Sequence, residues 1–239
     1  MKDKILGILA IKLPYLRKLV LFFLKTTAKD ISIKNPYTKK DFVLNSYLHK
    51  SYWYYRESRE SYTTLSLRKL IKDRDEVIEV GGHIGFISHL YSKLVGASGK
   101  LYVFEPGENN LPYTRKNLSM LNNVELIEKA CGENNEALSL YQDGLSGQNN
   151  SLLKDWYYVE SVAKSHGSKA KRIESTVNVV TLEKFIASKS IEVQHVKIDV
   201  EGAELFVLKG LGKYLGKIPS FMIEILRNEK EVHQKMKNA

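Results

Sequence analysis

Short apolar runs alternate with amphipathic segments along most of residues 76–226. A short apolar run bounded by glycine, proline or acidic residues predicts a buried strand, and apolar residues spaced three and four apart predict a helix. The predicted strands cover residues 76–80, 101–105, 124–130, 194–199 and 220–226, and the predicted helices lie near residues 84–95, 109–121, 181–189 and 202–215. This alternation predicts an α/β fold in which a parallel sheet carries helices on both faces.

Two of these strands end in carboxylates beside a glycine-rich turn, which indicates a nucleotide-type site. The first strand runs through Glu79 into Gly81 and Gly82, which lack a Cβ and allow both a sharp turn and close approach of a ligand. Gly85 would let the next helix pack close to the sheet, with free N–H groups at its start. Glu105 ends the second strand, where its carboxylate would accept hydrogen bonds from both hydroxyls of a ribose.

The spacing of the glycines distinguishes between nucleotides. A dinucleotide site requires G-x-G-x-x-G, but Val80 occupies the first position when Gly82 and Gly85 fill the others. An NAD-dependent oxidoreductase is therefore the weakest interpretation. An acid, one residue, glycine, three residues and glycine, as at Glu79, Gly81 and Gly85, instead suits S-adenosylmethionine, which has no phosphate. A purely structural turn between strand and helix remains the alternative.

Other segments carry a more specific pattern. His195-Val-Lys-Ile-Asp-Val-Glu-Gly-Ala-Glu204 is an apolar strand that runs into acidic residues and a helix, and Val103-Phe-Glu-Pro106 ends the second strand. With Glu-Val-Gly-Gly-His-Ile-Gly-Phe-Ile-Ser88, residues 117–122 and Asn150-Ser-Leu152, they resemble the FkbM family of S-adenosylmethionine-dependent methyltransferases. The resemblance covers roughly residues 76–226. It implies a class I methyltransferase (Rossmann-like) fold and methylation of a hydroxyl on a sugar, lipid or polyketide-like molecule.

The motif positions define a predicted cofactor site. Its residues are Glu79, Gly81, Gly82, Gly85, Glu105, Pro106, Asn110 and Ala130. The family commonly has Asp-Val-Gly-Ala-Asn at the first motif, where this chain has Glu79-Val-Gly-Gly-His83. Glutamate keeps the acceptor and glycine keeps the space, so we expect S-adenosylmethionine binding to survive. His83 could donate to the cofactor, titrate near the reacting hydroxyl or act as a supporting hydrogen-bonding side chain, and we favour the last role.

The catalytic prediction follows from the chemistry of the acceptor. An alcohol is a poor nucleophile near neutral pH and needs a base or a cation that lowers its pKa. Asp199 and Glu201, at the end of a central strand, are the predicted groups, with His83 as a further candidate. Asp199 and Glu224 could also hold a hard cation through their oxygens, although we predict no metal, and no His/Cys spacing predicts zinc.

Charge divides the chain into two predicted parts. Residues 1–75 carry 17 Lys/Arg against 7 Asp/Glu, whereas residues 76–239 carry 20 of each. The sequence therefore predicts a basic, aromatic-rich N-terminal extension, residues 1–75, and an S-adenosylmethionine-binding catalytic domain, residues 76–239. The single cysteine, Cys131, excludes an intramolecular disulfide and favours a reducing, cytoplasmic location.

The first part of the extension, residues 4–25, is apolar but interrupted by charges and by Pro14. It has no run of the ~20 apolar residues that a spanning helix needs. After Pro14 an amphipathic helix is predicted, which could lie peripherally on a membrane surface, cover the cofactor site or form a homodimer contact. All three interpretations stay open at this point.

Aromatic residues crowd the second part of the extension. They are Tyr47, Tyr52, Trp53, Tyr54, Tyr55 and Tyr62. Such side chains suit sugar rings and also suit packing of the extension onto a sheet, and we expect Trp53 in packing. Two or three of the tyrosines could lie at a substrate mouth, and Tyr54 and Tyr55 are the pair chosen to test this. Two more strands are predicted at residues 137–142 and 174–180, and the polar stretch between them would include a partial lid near residues 150–152.

The sequence thus predicts an O-methyltransferase that acts on a hydroxyl of a sugar, glycolipid or related small molecule. The alternatives are an RNA 2′-O-methyltransferase and a non-catalytic membrane-surface protein that keeps the fold. We expect no nucleic-acid partner, because the excess positive charge lies outside the catalytic part. Methyltransferases of the class that the resemblance implies usually end in an antiparallel hairpin, which has no counterpart in this sequence. Strand 220–226 would then form an edge of the sheet, which is covered by the extension, covered by a second subunit or left open.

Overall fold

The computed structural model describes residues 14–155 and 172–239. In chain order the described elements are α1 Pro14–Thr26, β1 Asp30–Lys34, β2 Asp41–Asn45, α2 Lys50–Tyr55, α3 Ser61–Leu70, β3 Glu76–Val80, α4 Phe86–Val95, β4 Lys100–Phe104, α5 Leu111–Leu118, β5 Val124–Ile127, β6 Ala130–Cys131, β7 Ala137–Asp143, β8 Arg172–Val180, α6 Leu182–Lys189, β9 Val193–Ile198, α7 Glu204–Gly210, β10 Ser220–Ile223 and α8 Glu229–Lys237. Within these ranges no helix has the length and apolar character needed to cross a membrane.

A five-stranded parallel sheet forms the centre, in the order β5-β4-β3-β9-β10. Strand β3 lies between β4 and β9, and Val80 at its end pairs with both Phe104 and Ile198. The chain moves outward through β4 and β5 and then returns to β9 on the other side of β3. Ligands of such sheets bind in the crevice where the strand order reverses. The predicted α/β architecture with a parallel sheet is confirmed.

Hydrophobic clusters cover both faces of this sheet. On one face, α6, α7 and α8 contribute Ile186, Leu208 and Val232. On the other face, α4 and α5 contribute Leu90 and Leu118. Because both faces are buried, β3 and β9 are nearly continuous apolar runs, which is the pattern that made them recognisable in the sequence.

The extension adds a layer to the second face. Its β1 and β2 form an antiparallel hairpin, and Phe42, Leu44, Tyr52 and Leu67 pack in the same cluster as α4 and α5. The sequence analysis described the extension as helical, and the hairpin is an addition to that description. Two helices, α2 and α3, joined by a 3₁₀ turn at Arg56–Glu60, complete this layer.

A small second sheet lies beside the main one, in the order β6-β8-β7. Strand β8 pairs antiparallel with β7 and parallel with β6. The two strands predicted at residues 137–142 and 174–180 are confirmed as β7 and β8. The single strand predicted at residues 124–130 is instead divided, because the chain leaves the main sheet after Ile127 and joins β8 at Ala130.

Strand β10 is the outer strand of the main sheet on the β9 side, and no described strand pairs with its free edge. After β10, the described chain forms only α8, which buries Val232 against the face covered by α6 and α7. The edge that the sequence analysis expected is therefore present in the described part of the chain.

Asn117 joins the extension to the catalytic part. Its side chain is fully buried; its Oδ1 accepts the N–H of Val43 at 2.7 Å, and its Nδ2 donates to the carbonyls of Val43 and Ile84 at 3.0 and 2.8 Å. One amide thus satisfies backbone groups of β2 and of the segment that leads into α4.

We expect Asn117→Ala to lower the free energy of unfolding by about 2–4 kcal/mol, because it leaves buried backbone groups without partners. Urea denaturation of the full chain measures this. The matched control is Asn122→Ala at an exposed position, which should change stability by no more than about 0.5 kcal/mol. Equal effects of the two substitutions would contradict the linking role of Asn117.

Candidate active site

A glycine turn after β3 brings three strand ends together. The N–H groups of Gly81 and Gly82 both donate to the carbonyl of Phe104 at the end of β4, at 3.0 and 3.1 Å. Gly81 has φ +92°, and a Cβ there would collide with the backbone carbonyl of Asp199. A Cβ on Gly82 would collide with the side chain of Val103. The glycines are therefore required by the approach of β3 to its neighbours, in addition to any contact with a ligand.

Gly85 has a packing role in the structure. It precedes α4 with φ +85°, and a Cβ there would press on the side chain of Leu118 in α5. The close approach that it permits is between the start of α4 and α5, whereas the sequence analysis expected one between α4 and the sheet. Gly85 also does not line the cleft at the strand ends, so direct contact with a cofactor is not part of the role that this geometry gives it.

His83 connects three parts of the molecule. Its φ is +48°, a left-handed conformation that His and Asn adopt more readily than most residues. Its backbone N–H donates to Glu105 Oε2 at 2.7 Å. In the ring, Nε2 lies 2.9 Å from the carbonyl of Ser146 and Nδ1 lies 3.0 Å from the hydroxyl of Tyr52. A carbonyl only accepts, so Nε2 carries the proton and Nδ1 accepts from Tyr52.

The surroundings keep the His83 ring neutral. Burial, followed by the charge of His49, lowers the pKa of His83 to about 3. A neutral ring whose two nitrogens already make hydrogen bonds is poorly placed to take a proton from a substrate. The geometry therefore favours the supporting role of His83 over the catalytic one.

Glu105 is a buried carboxyl at the end of β4. Its Oε2 accepts the N–H of His83, and its Oε1 accepts the N–H of Gly107 at 2.8 Å and the side-chain amide of Asn110 at 3.1 Å. Burial raises the pKa of Glu105 to about 7, although these donors oppose the shift. A carboxylate offers about four acceptor directions, so one remains for a ligand hydroxyl.

Glu79 is a second buried carboxyl, at the end of β3. The hydroxyl of Ser88 donates to its Oε2 at 2.6 Å. Burial raises the pKa of Glu79 to about 7, and the nearby charge of Lys197 opposes that shift. The two carboxylates that the sequence analysis placed at neighbouring strand ends are thus both present there, and both are nearly inaccessible to bulk water.

A buried ammonium joins the carboxylates at the ends of β9 and β10. Lys197 Nζ lies 2.8 Å from Asp199 Oδ2, and 9% of the Lys197 side chain is exposed. Burial disfavours the charge of Lys197, but attraction by Asp199 and then Glu79 outweighs it and raises the pKa of Lys197. The ammonium therefore stays charged.

Asp199 also shares a hydrogen bond with Glu224. Burial and the charge of Asp199 raise the pKa of Glu224. For Asp199, burial acts in the same upward direction, but Lys197 outweighs it and lowers the pKa of Asp199. Asp199 thus lies between the ammonium of Lys197, which favours its ionised form, and the carboxyl of Glu224, which holds a proton more readily than an ordinary glutamate.

A cleft of about 650 Å³ opens at the carboxyl ends of β3, β4 and β9. Its size lies within the range of about 300–1,000 Å³ that is typical of small-molecule sites. The predicted site residues that line it are Glu79, Gly81, Gly82, His83, Glu105, Pro106, Asn110, Ala130, Asp199, Glu201 and Glu224. The sequence analysis did not assign Glu60, Lys129 or Lys197 to this site. Glu60 and Lys129 lie outside the motifs, so only the folded chain reveals their position.

Glu201 and Glu204 have different positions near the start of α7. Glu201 lines the cleft with φ +54°, and its carbonyl accepts the hydroxyl of Ser151 at 2.7 Å. Glu204 is fully buried at the first turn of α7, where its Oε1 accepts the N–H of Gly202 at 2.7 Å. The helix dipole favours an acidic side chain in the first turn of a helix, so this position gives Glu204 a structural role.

Residues 143–152 fold into a compact loop on one side of the cleft. The Asp143 carboxylate accepts four backbone N–H groups of this loop at 2.7–3.1 Å. Asn150 exchanges hydrogen bonds with Asn109, and Asn150 and Leu152 line the cleft, as a partial lid would. Of the basic residues in the predicted polar stretch, Lys164, Lys169 and Lys171 lie outside the described residues.

The extension reaches the same cleft through Tyr52 and Arg59. Tyr52 is buried and donates to His83, and the guanidinium of Arg59 lies 4.4 Å from the centre of the Tyr52 ring. Arg59 also donates to Gln148 Oε1 of the loop at 3.1 Å. The extension, the first motif and residues 143–152 thus form one wall of the cleft.

The structure corrects the assignment of the aromatic residues. Tyr54 and Tyr55 are 37% and 51% exposed but do not line the cleft. The tyrosines of the extension that do line it are Tyr52 and Tyr62. Trp53 packs against the hydrophobic cluster of the second face, as expected. The adjacent positions of α2 point in different directions around the helix, and the sequence alone did not determine which of them faces the sheet.

The described residues contain no group of three or more His, Cys, Asp or Glu side chains arranged to hold a metal ion. At the predicted pair Asp199 and Glu224, the ammonium of Lys197 occupies a position beside Asp199 that a bound cation would take.

Comparison with known proteins identifies the family. The model of the FkbM methyltransferase domain matches residues 79–238, which include the glycine turn, every strand of the main sheet after β3 and α8. The chain belongs to the FkbM methyltransferase family. The predictions of family, of a methyltransferase and of S-adenosylmethionine as cofactor are thereby confirmed. No curated protein matched the chain.

Solved structures include related folds. An FkbM methyltransferase from Methylobacillus flagellatus is 16% identical, with a TM-score of 0.41, over 64% of this chain and 33% of that one. An rRNA methylase from Streptococcus thermophilus is 15% identical, with a TM-score of 0.41, over 74% of this chain and 78% of that one. The chain thus spans about a third of the length of the FkbM structure that it matches. At these identities the likeness concerns the fold and not the substrate.

The residues of this FkbM domain fit S-adenosylmethionine. Besides the remaining acceptor direction on Glu105, the buried Oδ1 of Asn110 has no hydrogen-bond partner among the described residues and lines the cleft. These two acceptors would hold the ribose hydroxyls. The backbone of Gly81 and Gly82 would face the amino-acid end, and Ala130 would lie against the adenine.

We expect Glu105 to make cofactor affinity depend on pH. Hydroxyl donors bind the ionised carboxylate, whose pKa of about 7 is raised by burial, so affinity for S-adenosylhomocysteine should increase as pH rises through that value. Below it, the change should approach about tenfold per pH unit. Calorimetry on the wild-type chain and on Glu105→Gln measures this, and the variant should bind weakly with no such dependence.

Glu128→Gln, which alters an exposed carboxyl that pairs with Arg115 of α5 and does not line the cleft, serves as the matched control and should behave as wild type. A wild-type affinity that is constant across this pH range would exclude the role given to Glu105.

Proposed function

We propose that this FkbM methyltransferase transfers a methyl group from S-adenosylmethionine to a hydroxyl of a sugar, a glycolipid or a related small molecule. The observation that carries the proposal is the Lys197–Asp199–Glu224 cluster, which lines the same cleft as the cofactor-binding strand ends. The cofactor supplies the methyl group on a sulfonium. The protein must then orient the acceptor oxygen, exclude water and remove the hydroxyl proton.

Asp199 is the group that we assign to the acceptor hydroxyl. It lies at the end of a central strand, and its backbone N–H donates to the carbonyl of Val80 at 3.0 Å, so its position is fixed by the sheet. Lys197 holds it in the ionised form, in which it accepts a hydrogen bond from the hydroxyl and orients the oxygen. Glu224 is fixed in the same way, because its N–H donates to Ile198 at 3.0 Å. As the acceptor oxygen bonds to the methyl group, the hydroxyl proton passes to the Asp199 carboxylate, which shares a hydrogen bond with Glu224.

The charge of the cleft supports a neutral acceptor over a nucleic acid. Among the described residues that line it, the carboxyl side chains are Glu60, Glu79, Glu105, Asp199, Glu201 and Glu224, and the cations are Arg59, Lys129 and Lys197. The described lining therefore has no excess of positive charge, whereas nucleic-acid binding relies on basic surfaces. The remaining polar lining of hydroxyl and amide groups, including Tyr62, Thr63 and Gln148, suits the hydroxyls of a sugar.

Acceptor class is tested by incubating the full chain with methyl-labelled S-adenosylmethionine and a panel of sugars, glycolipids and RNA transcripts. We expect label in a sugar or glycolipid and none in RNA at low salt, where electrostatic binding of RNA is strongest. Label that enters only RNA would overturn the proposed acceptor. Failure of the chain to bind S-adenosylhomocysteine would instead argue against an active enzyme.

Asp199→Asn should retain the shape of the site but lose the anion that contacts the hydroxyl. We expect kcat for the acceptor identified by that panel to fall by about 10²–10⁴-fold, with affinity for S-adenosylhomocysteine nearly unchanged. Asp155→Asn, at an exposed carboxyl that pairs with Arg227 outside the cleft, is the control and should keep wild-type turnover. Near-normal turnover of the Asp199 variant would remove this residue from the mechanism.

A further inference from the structure

Helix α1 presents large apolar side chains to the outside of the molecule. Leu19, Phe22 and Phe23 are 53%, 61% and 57% exposed, and the two phenylalanine rings contact each other edge to face at 6.1 Å. Among the side chains that the structure describes, neither hydrophobic cluster includes a residue of α1. Single exposed apolar residues are ordinary, but three on one short helix form a continuous apolar surface that marks an interaction site.

The charges around this surface indicate its partner. In the sequence, residues 14–29 contain four basic residues and no acidic one. By helical position, Lys25 lies about 160° around α1 from Phe23 and about 60° from Phe22, at the border of the apolar surface. A second copy of the chain would bring two such basic helices together, and like charges would oppose that contact. A surface of anionic lipid headgroups satisfies both the apolar face and the basic residues.

The length of α1 decides how it would meet a membrane. Its 13 residues span about 20 Å at the usual helical rise, which is shorter than the ~30 Å hydrocarbon core of a bilayer. The described helix has a length that suits lying along the surface. At its C-terminal end, the chain continues into the β1–β2 hairpin, which is packed on the catalytic part.

We propose that α1 binds the surface of an anionic membrane, with Leu19, Phe22 and Phe23 inserted at the boundary between headgroups and acyl chains. The helix then holds the catalytic domain at that surface through the packed hairpin. This inference goes beyond the proposed function and does not rest on it, since the membrane contact uses no residue of the cleft.

Sedimentation of the full chain with lipid vesicles tests the proposal. We expect binding to vesicles of equal parts phosphatidylcholine and phosphatidylglycerol, and much weaker binding to phosphatidylcholine alone or at high salt. The double variant Phe22→Ser/Phe23→Ser should lose about tenfold or more in binding. Leu65→Ser, at an equally exposed leucine of α3, is the matched control and should bind as wild type.

Binding of S-adenosylhomocysteine by each variant verifies that the catalytic part is intact, independently of any acceptor. The proposal is overturned by absence of binding to either vesicle type, by equal binding of the double variant or by equal loss in the Leu65 variant. It is also overturned if light scattering shows a dimer in solution that the double variant abolishes, because α1 would then be a contact between copies.

Discussion

The close approach of β3, β4 and β9 at their carboxyl ends is the constraint on which the site depends. Gly81 and Gly82 share one acceptor, the carbonyl of Phe104, and neither position has room for a Cβ. A side chain at Gly81 would push away the backbone of Asp199, and thereby the acid that we assign to the acceptor. In the proposed mechanism, cofactor binding and acceptor activation are linked through backbone geometry, because the same turn fixes both.

The convergence of these strand ends also brings several charged side chains together in a buried part of the molecule. Glu79 and Asp199 lie near Lys197, and the ammonium compensates carboxylates that burial would otherwise neutralise. A buried charged cluster adds little to the free energy of unfolding, and removing one member leaves the other charges without compensation. Stability alone is therefore a weak reason for this cluster. Its position in a cleft, with carboxyl pKa values displaced in opposite directions at Asp199 and Glu224, is typical of functional sites.

Much of this architecture could be predicted from the sequence, because the strands of a sheet covered on both faces are apolar runs bounded by glycine, proline or acidic residues. Strand β3 begins and ends where the pattern placed it, at residues 76–80. The extension was harder, because the short alternating segments of β1 and β2 have a weaker signal than buried strands. The roles of His83, Tyr52 and Arg59 depend on contacts between segments distant in sequence. The pattern identified Gly85, but its packing against Leu118 of α5 is visible only in the folded chain.

The most direct test of this account is a crystal structure of the full chain with S-adenosylhomocysteine. The account predicts that one ribose hydroxyl lies within hydrogen-bond distance of the Glu105 carboxylate and the other within hydrogen-bond distance of Asn110 Oδ1. It also predicts the amino-acid end at Gly81 and Gly82 and the sulfur facing Asp199. A ligand bound elsewhere, or a cleft that stays filled by side chains at saturating ligand, would contradict it.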